Sequence, residues 1–208
     1  MRKIAVIAAI SCIMPIVHAQ KIVEKTLNFN NKRALVLDLQ ITDSINIQTW
    51  NKNEVYAYAT INVNDNKDNE AYKTSFDDTG DKVEIKAKFD DQFFKGKQCN
   101  NEVNVAWKLM VPENAELSVK TINGNIIIVG KTNSVKAHTI SGFIDMGIEA
   151  GKGADLNLKT ITGNIYTDLS FASLNKRVVE LKVNEKLNGG GRPIDLETIS
   201  GDIFLRKK

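Results

Sequence analysis

One six-residue phrase recurs four times in the second half of the chain: Thr121-Ile-Asn-Gly-Asn-Ile126, Thr139-Ile-Ser-Gly-Phe-Ile144, Thr160-Ile-Thr-Gly-Asn-Ile165 and Thr198-Ile-Ser-Gly-Asp-Ile203. Each copy is preceded by apolar residues four and two places before its Thr: Leu117 and Val119, Val135 and Ala137, Leu156 and Leu158, Ile194 and Leu196. After it, alternation resumes on the other parity, with Ile126 and Ile128, then Ile144, Met146 and Ile148, then Ile165 and Leu169, then Ile203 and Leu205. Alternation with period two is strand patterning. A parity switch in a straight strand would turn its apolar face outward. A bend or bulge inside the phrase keeps both arms on one core.

The phrase Thr residues are separated by 18, 21 and 38 positions. A period near twenty residues points to stacked supersecondary units. The sequence therefore predicts an all-β chain. Its architecture is a β-solenoid, single-stranded and β-helix-like, of stacked roughly 20-residue coils, preceded by longer N-terminal strands. Each phrase is expected above its predecessor, about 4.8 Å away. Ile122, Ile140, Ile161 and Ile199 are expected as an internal column, the four Thr as a ladder of hydroxyl contacts, and the Gly residues as bends or close approaches. Residues 161–197 hold either a degenerate coil using Val179, Leu181 and Val183 or a loop excursion; Leu187 to Pro193 reads as a loop.

The first half alternates in the same way. Leu35, Leu37 and Leu39 share one parity, Ile45 and Ile47 continue it, and Val55, Ala57, Ala59, Ile61 and Val63 form a long strand showing Tyr56 and Tyr58 on its other face. Residues 64–70 are a polar turn, 71–76 a short strand, and Val83 to Phe89 and Val103 to Val111 two more strands. Residues 90–102 are the most irregular part, carrying Phe93, Phe94 and Cys99.

Met1-Arg2-Lys3, an apolar run from Ile4 to Val17, and Val17-His18-Ala19 before Gln20 have the form of a secretory signal peptide. The expected division is signal peptide 1–19 and one all-β domain 20–208, with strands over 20–111 and repeat coils over 112–208. An uncleaved membrane anchor and lipidation at Cys12 are the alternatives. Removing Arg2 and Lys3 from 28 basic residues leaves 26 against 25 acidic ones. That balance gives no electrostatic reason to expect nucleic acid. Cys99 alone cannot close an intrachain disulfide, so backbone pairing and apolar burial must hold the fold.

At the phrases, and at Ile47-Gln-Thr-Trp50-Asn-Lys-Asn-Glu-Val55 and Val111-Pro112-Glu113-Asn114-Ala115, the chain resembles a bacterial adhesin-like family of exported repeat proteins whose function is mostly undefined. The resemblance covers nearly all of the mature chain. It implies adhesion only loosely and carries over no catalytic residues. Phe143, where the family has Asp or Asn, and the stretch 90–102 depart from it.

A search for chemistry finds no nucleophile elbow, zinc-protease helix or phosphate loop. His138 is the one histidine after the leader and is expected on an exposed strand face; a pair with Cys99 is conceivable but has no activating context. Asp145, Asp155, Asp168, Asp195 and Asp202 are carboxylates that a glycan-cleaving enzyme would need in pairs. Gly189-Gly190-Gly191 begins like a calcium-binding repeat but lacks its spacing. The expectation is no catalytic, cofactor or metal residues. Tyr56, Tyr58, Phe93 and Phe94 are the binding candidates, against the plain reading that they cover an open end of the core. Variation after the phrase glycine (Asn125, Phe143, Asn164, Asp202) and the loops around Phe93 and Gly190 are the other places where function is expected. The terminal Arg206-Lys207-Lys208 reads as charge protecting a sheet edge.

The functional expectation is an exported, non-catalytic binding or scaffold module in the periplasm, on the outer-membrane surface or outside the cell. Its partner would be an envelope or surface component, protein or glycan. A glycan-active β-helical enzyme and an envelope-stress accessory protein are the alternatives.

Overall fold

The computed structural model describes residues 19–95, 101–149, 151–169 and 181–208. The leader, Cys99 and Val179 lie outside the described residues. The fold is all-β, apart from one short 3-10 turn at Asn69–Ala71. Its strands are β1 (Lys21–Asn28), β2 (Ala34–Leu39), β3 (Ile41–Trp50), β4 (Glu54–Val63), β5 (Tyr72–Asp77), β6 (Lys82–Phe89), β7 (Val103–Pro112), β8 (Glu116–Val129), β9 (Ser134–Ser141), β10 (Ile144–Ile148), β11 (Ala154–Thr162), β12 (Ile165–Thr167), β13 (Leu181–Leu187), β14 (Arg192–Ser200) and β15 (Ile203–Lys207). They form a mixed, open 15-stranded sheet with no closed barrel.

The sheet has two limbs that meet along a corner. The first limb runs β5-β6-β2-β8-β9-β14-β11-β13. The second runs β1-β4-β7-β3-β8-β10-β15-β12. The long strand β8 belongs to both, its N-terminal half in the first limb and its C-terminal half in the second. Central pairings in both limbs are parallel, as is the terminal pairing of β12, whereas those made by β5, β13, β4 and β1 at the other ends are antiparallel.

Period-two alternation places the core between the limbs. Leu35, Leu37, Leu117, Val119, Leu156 and Leu196 are buried from the first limb, and Ile45, Ile47, Ile126, Ile144, Met146 and Leu205 from the second. Each such side chain contributes about 1.5–3 kcal/mol when fully buried. Trp107 is the largest, and its indole N–H donates to the Tyr72 hydroxyl at 3.2 Å. Burial pushes the Tyr72 phenol well above its ordinary range, so it stays a neutral hydroxyl here.

Several expectations about the phrase need correction. Its Thr residues, not its first Ile residues, face the core: Thr121, Thr139, Thr160 and Thr198 are buried, whereas Ile122, Ile140, Ile161 and Ile199 are 42%, 39%, 44% and 37% exposed. The hydroxyls do not contact one another. Thr139 Oγ1 donates to the Gly124 carbonyl at 3.1 Å, Thr198 to Gly142 at 2.9 Å, and Thr160 to Gly201 at 2.8 Å. Thr121 donates to the Gln40 carbonyl at 3.2 Å. The bend turns backbone carbonyls toward the core, and a buried carbonyl needs a donor that isoleucine lacks.

The order of stacking also differs from chain order. β14, carrying the fourth phrase, lies between β9 and β11, so Thr198 stands between Thr139 and Thr160. Residues 181–187 form no parallel coil. They return antiparallel along the outer side of β11, and the loop at 188–191 crosses the start of β11 to the other side. A Cβ on Gly153 would meet the Gly190 carbonyl oxygen, which fixes how closely that loop passes. As a result β15 is interior, flanked by β10 and β12, and the terminal cations do not guard a sheet edge.

Candidate functional site

The titratable candidates are occupied by structural contacts. His138 projects from the outer face of the first limb, its Nδ1 3.5 Å from Glu197 Oε2, and Lys159 Nζ lies 3.6 Å from the other Glu197 oxygen. Cross-strand register makes one continuous row on that face: Lys182, Lys159, Glu197, His138, Lys120, Asp38 and Lys86. Each of these positions is ionisable, and the row ends at Ser75 on β5, so this row is a solvated stripe.

Asp155 and Asp195 line one groove on the first limb with Glu185, and the other three aspartates lie elsewhere. Asp145 pairs with Arg206 at 2.8 Å. Asp155 accepts from the Gly191 amide at 3.3 Å, and Asp168 from the Lys207 amide at 2.6 Å. Asp195 accepts from the Asn157 side-chain amide at 2.9 Å, and Asp202 from the Asn164 amide at 2.8 Å. Each therefore joins neighbouring strands or a loop. Among the described residues no group of three or more His, Cys, Asp or Glu side chains converges on one point.

The residue after the phrase glycine also proves to be structural. Asn125 Oδ1 accepts from the Phe143 amide at 3.1 Å, as Asp202 does from Asn164. A short acceptor side chain at this position links one corner to the next, which explains Asn or Asp there. Phe143 has no such acceptor and instead meets Phe204 edge-on, ring centroids 6.0 Å apart.

The aromatic candidates divide. Phe93 is buried and stacks on Phe89 at 4.6 Å, while Phe94 is half-exposed against both rings. This pair closes the core beside β6, the plain reading of those residues. Tyr56 and Tyr58 stand on the outer face of the second limb. They border a groove of about 600 Å³ whose other walls include Lys108, Met110, Ile127 and Val129. All its lining comes from β3, β4, β7 and β8 of that limb. The Tyr56 hydroxyl donates to Glu24 Oε1 at 2.8 Å, and this bond to a carboxylate holds the phenol above its ordinary range.

Beyond the groove the same register row continues across the strands. Cross-strand register aligns Tyr58, Lys108, Asn46, Ile127, Asp145, Phe204 and Tyr166 in one row. At its far end the Tyr166 and Phe204 rings stack with centroids 5.1 Å apart and planes 12° apart, and the Arg206 guanidinium lies 5.5 Å over Phe204. Sequence reading found Tyr56 and Tyr58 but missed this second cluster. Its signal was the wrong-parity aromatics Phe143, Tyr166 and Phe204, each next to a buried isoleucine.

No protein-family model matches the chain, and no curated protein matches it. Among solved structures, a protein of Clostridium sporogenes ATCC 15579 named "putative cell adhesion protein" is similar over 91% of this chain and 100% of its own, at 12% identity and a TM-score of 0.58. A "putative adhesin" of Bacteroides fragilis NCTC 9343 matches 92% of this chain and 99% of its own at 10% identity and a TM-score of 0.24. A "Putative lipid binding protein" of Parabacteroides distasonis ATCC 8503 matches 90% and 96% at 12% identity and a TM-score of 0.24. The likeness to the Clostridium protein is one of fold.

Proposed function

We propose that this chain is an exported, non-catalytic binding module of the cell envelope, adhesin-like in use, and that it engages its partner through the outer face of the second limb. The observation that carries the reading is the groove beside Tyr56 and Tyr58, an apolar and aromatic surface that no strand of the described fold covers. The charged candidates support it from the other side, because His138 and the five aspartates each serve a contact within the fold. In this reading the parallel corners are coils of a short β-solenoid, residues 1–19 are a cleaved leader, and 20–208 act as one domain in the periplasm, on the outer-membrane surface or outside the cell. The Clostridium protein's name is consistent with adhesion.

The test is a glycan and envelope-protein binding screen on the chain from Gln20, read for both retention and new reducing ends. Retention without cleavage is the expected result. Turnover that disappears on changing an aspartate pair would overturn the proposal.

A further inference from the structure

The two outer faces differ in chemistry. On the first limb the row through His138 is ionisable at every position from Lys182 to Lys86 and ends at Ser75. On the second, the row that runs from Glu24 through Tyr58 to Tyr166 carries Glu24, Lys108 and Asp145, and Arg206 pairs with Asp145 from the next row, so two carboxylates stand with two cations. The rest of the row is aromatic, amide or aliphatic. Aromatic residues stand at Tyr58 and at Tyr166, six strand spacings apart, or about 29 Å.

We infer that this face binds a neutral, extended polysaccharide lying across the strands, with sugar rings stacked at Tyr58 and on Tyr166, which Phe204 backs. The inference rests on the binding-module reading above and names its ligand class. Three features select this occupant. Tyr166 is 48% exposed on the outermost strand of the row and Tyr58 borders the groove, so each offers a ring to the C–H faces of sugars, while Asn46 and Gln48 between them supply donors and acceptors for hydroxyls. The absence of a single-sign field gives no advantage to an anionic chain. A single sheet makes the groove, so a lipid tail would keep one side in water and lose much of the burial that drives its binding. One sugar unit also advances a chain by about one strand spacing, ~5 Å, so successive units can meet successive strands.

The experiment measures binding of the chain from Gln20 to neutral β-linked glucans and mannans of increasing length, with polygalacturonate as the anionic comparison. Affinity is expected to rise with length until the oligosaccharide spans about 29 Å and then level off. Tyr58→Ala and Tyr166→Ala should each weaken the long chains at least tenfold, while Tyr58→Phe and Tyr166→Phe retain binding. Unchanged melting midpoints in all four variants separate loss of stacking from loss of fold. Binding of polygalacturonate alone, affinity independent of length, insensitivity to Tyr166→Ala, or no glycan retention would each overturn the inference. Should glycans fail while a purified envelope protein binds and Tyr58→Ala abolishes that binding, the ligand class falls and the binding-module reading stands. New reducing ends from a retained glucan would instead overturn the non-catalytic reading and leave glycan recognition in place.

Discussion

Thr139 joins two neighbouring corners through one hydroxyl, donated to the Gly124 carbonyl. Thr139→Val keeps the side-chain volume and removes that donor, leaving a buried carbonyl short of a partner. The expected cost is about 1–3 kcal/mol in a denaturant titration. Gly142 has φ of +138°, and a Cβ there would meet the Gly124 carbonyl oxygen. Gly142→Ala is expected to cost at least about 1–3 kcal/mol, because backbone must move to admit the methyl group. Ile161→Ala, by contrast, trims a 44% exposed side chain and should change stability by no more than about 0.5 kcal/mol. A larger loss from Ile161→Ala than from Thr139→Val would reverse the orientation described for the phrase. The inward rows Leu117 and Val119 or Ile126 and Ile128 were legible in the sequence because side-chain parity is a local property. The phrase itself was misread because apolarity ranks Ile above Thr, whereas at a bend the buried carbonyl requires a donor.

At the scale of elements, Arg192 at the start of β14 ties three segments together. Its guanidinium donates to the Thr132 carbonyl at 3.0 Å and the Glu149 carbonyl at 3.4 Å, and lies 3.6 Å from the Glu149 carboxylate. Arg192→Met keeps the apolar stem and should cost about 1.5–3 kcal/mol, the scale of hydrogen bonds from a charged group. Lys152 at 2.9 Å, joined by Arg192, holds the Glu149 carboxyl below its ordinary range. A depressed carboxylate stabilises the fold above its unfolded pKa, and the gain is lost as pH falls through the folded value. Lys152→Met should therefore lower the melting midpoint at neutral pH and leave it nearly unchanged at strongly acid pH. An equal loss at both would mean that the lysine acts through packing. The loop at 188–191 was legible from its glycines, although Leu187, Arg192 and Pro193, expected in it, belong to β13 and β14, and the strand it leads into was not assignable to a place. An interval of 38 residues fits an extra coil, a loop, or the antiparallel return that β13 makes along β11.

The whole molecule is not a column filled in chain order. The chain runs to the far end with β11 and β12, returns along β13, and inserts β14 and β15 into the gap beside β9 and β10. At the other end β3 likewise lies between β7 and β8, which follow it in sequence. Near each end a strand pair is thus inserted out of chain order, β2 and β3 at one and β14 and β15 at the other, and the last strands are interior. In a stack filled sequentially, removing the final repeat exposes one new end and leaves its neighbours in contact. Here, ending the chain at Gly190 removes β14 and β15 from between two partners, so β11, β12 and β13 lose their parallel attachment to the rest. Limited proteolysis of such a truncation should release or destroy β11 and β12 while the full chain protects them, and the cooperative melting transition should broaden or disappear. A truncated chain that kept the full chain's midpoint and protected β11 and β12 would place the last two strands at an end of the sheet instead. The charge pattern follows the same logic. Arg206 needs no edge to defend, and its guanidinium instead spans from Asp145 to the face of Phe204 within the outer surface of the second limb.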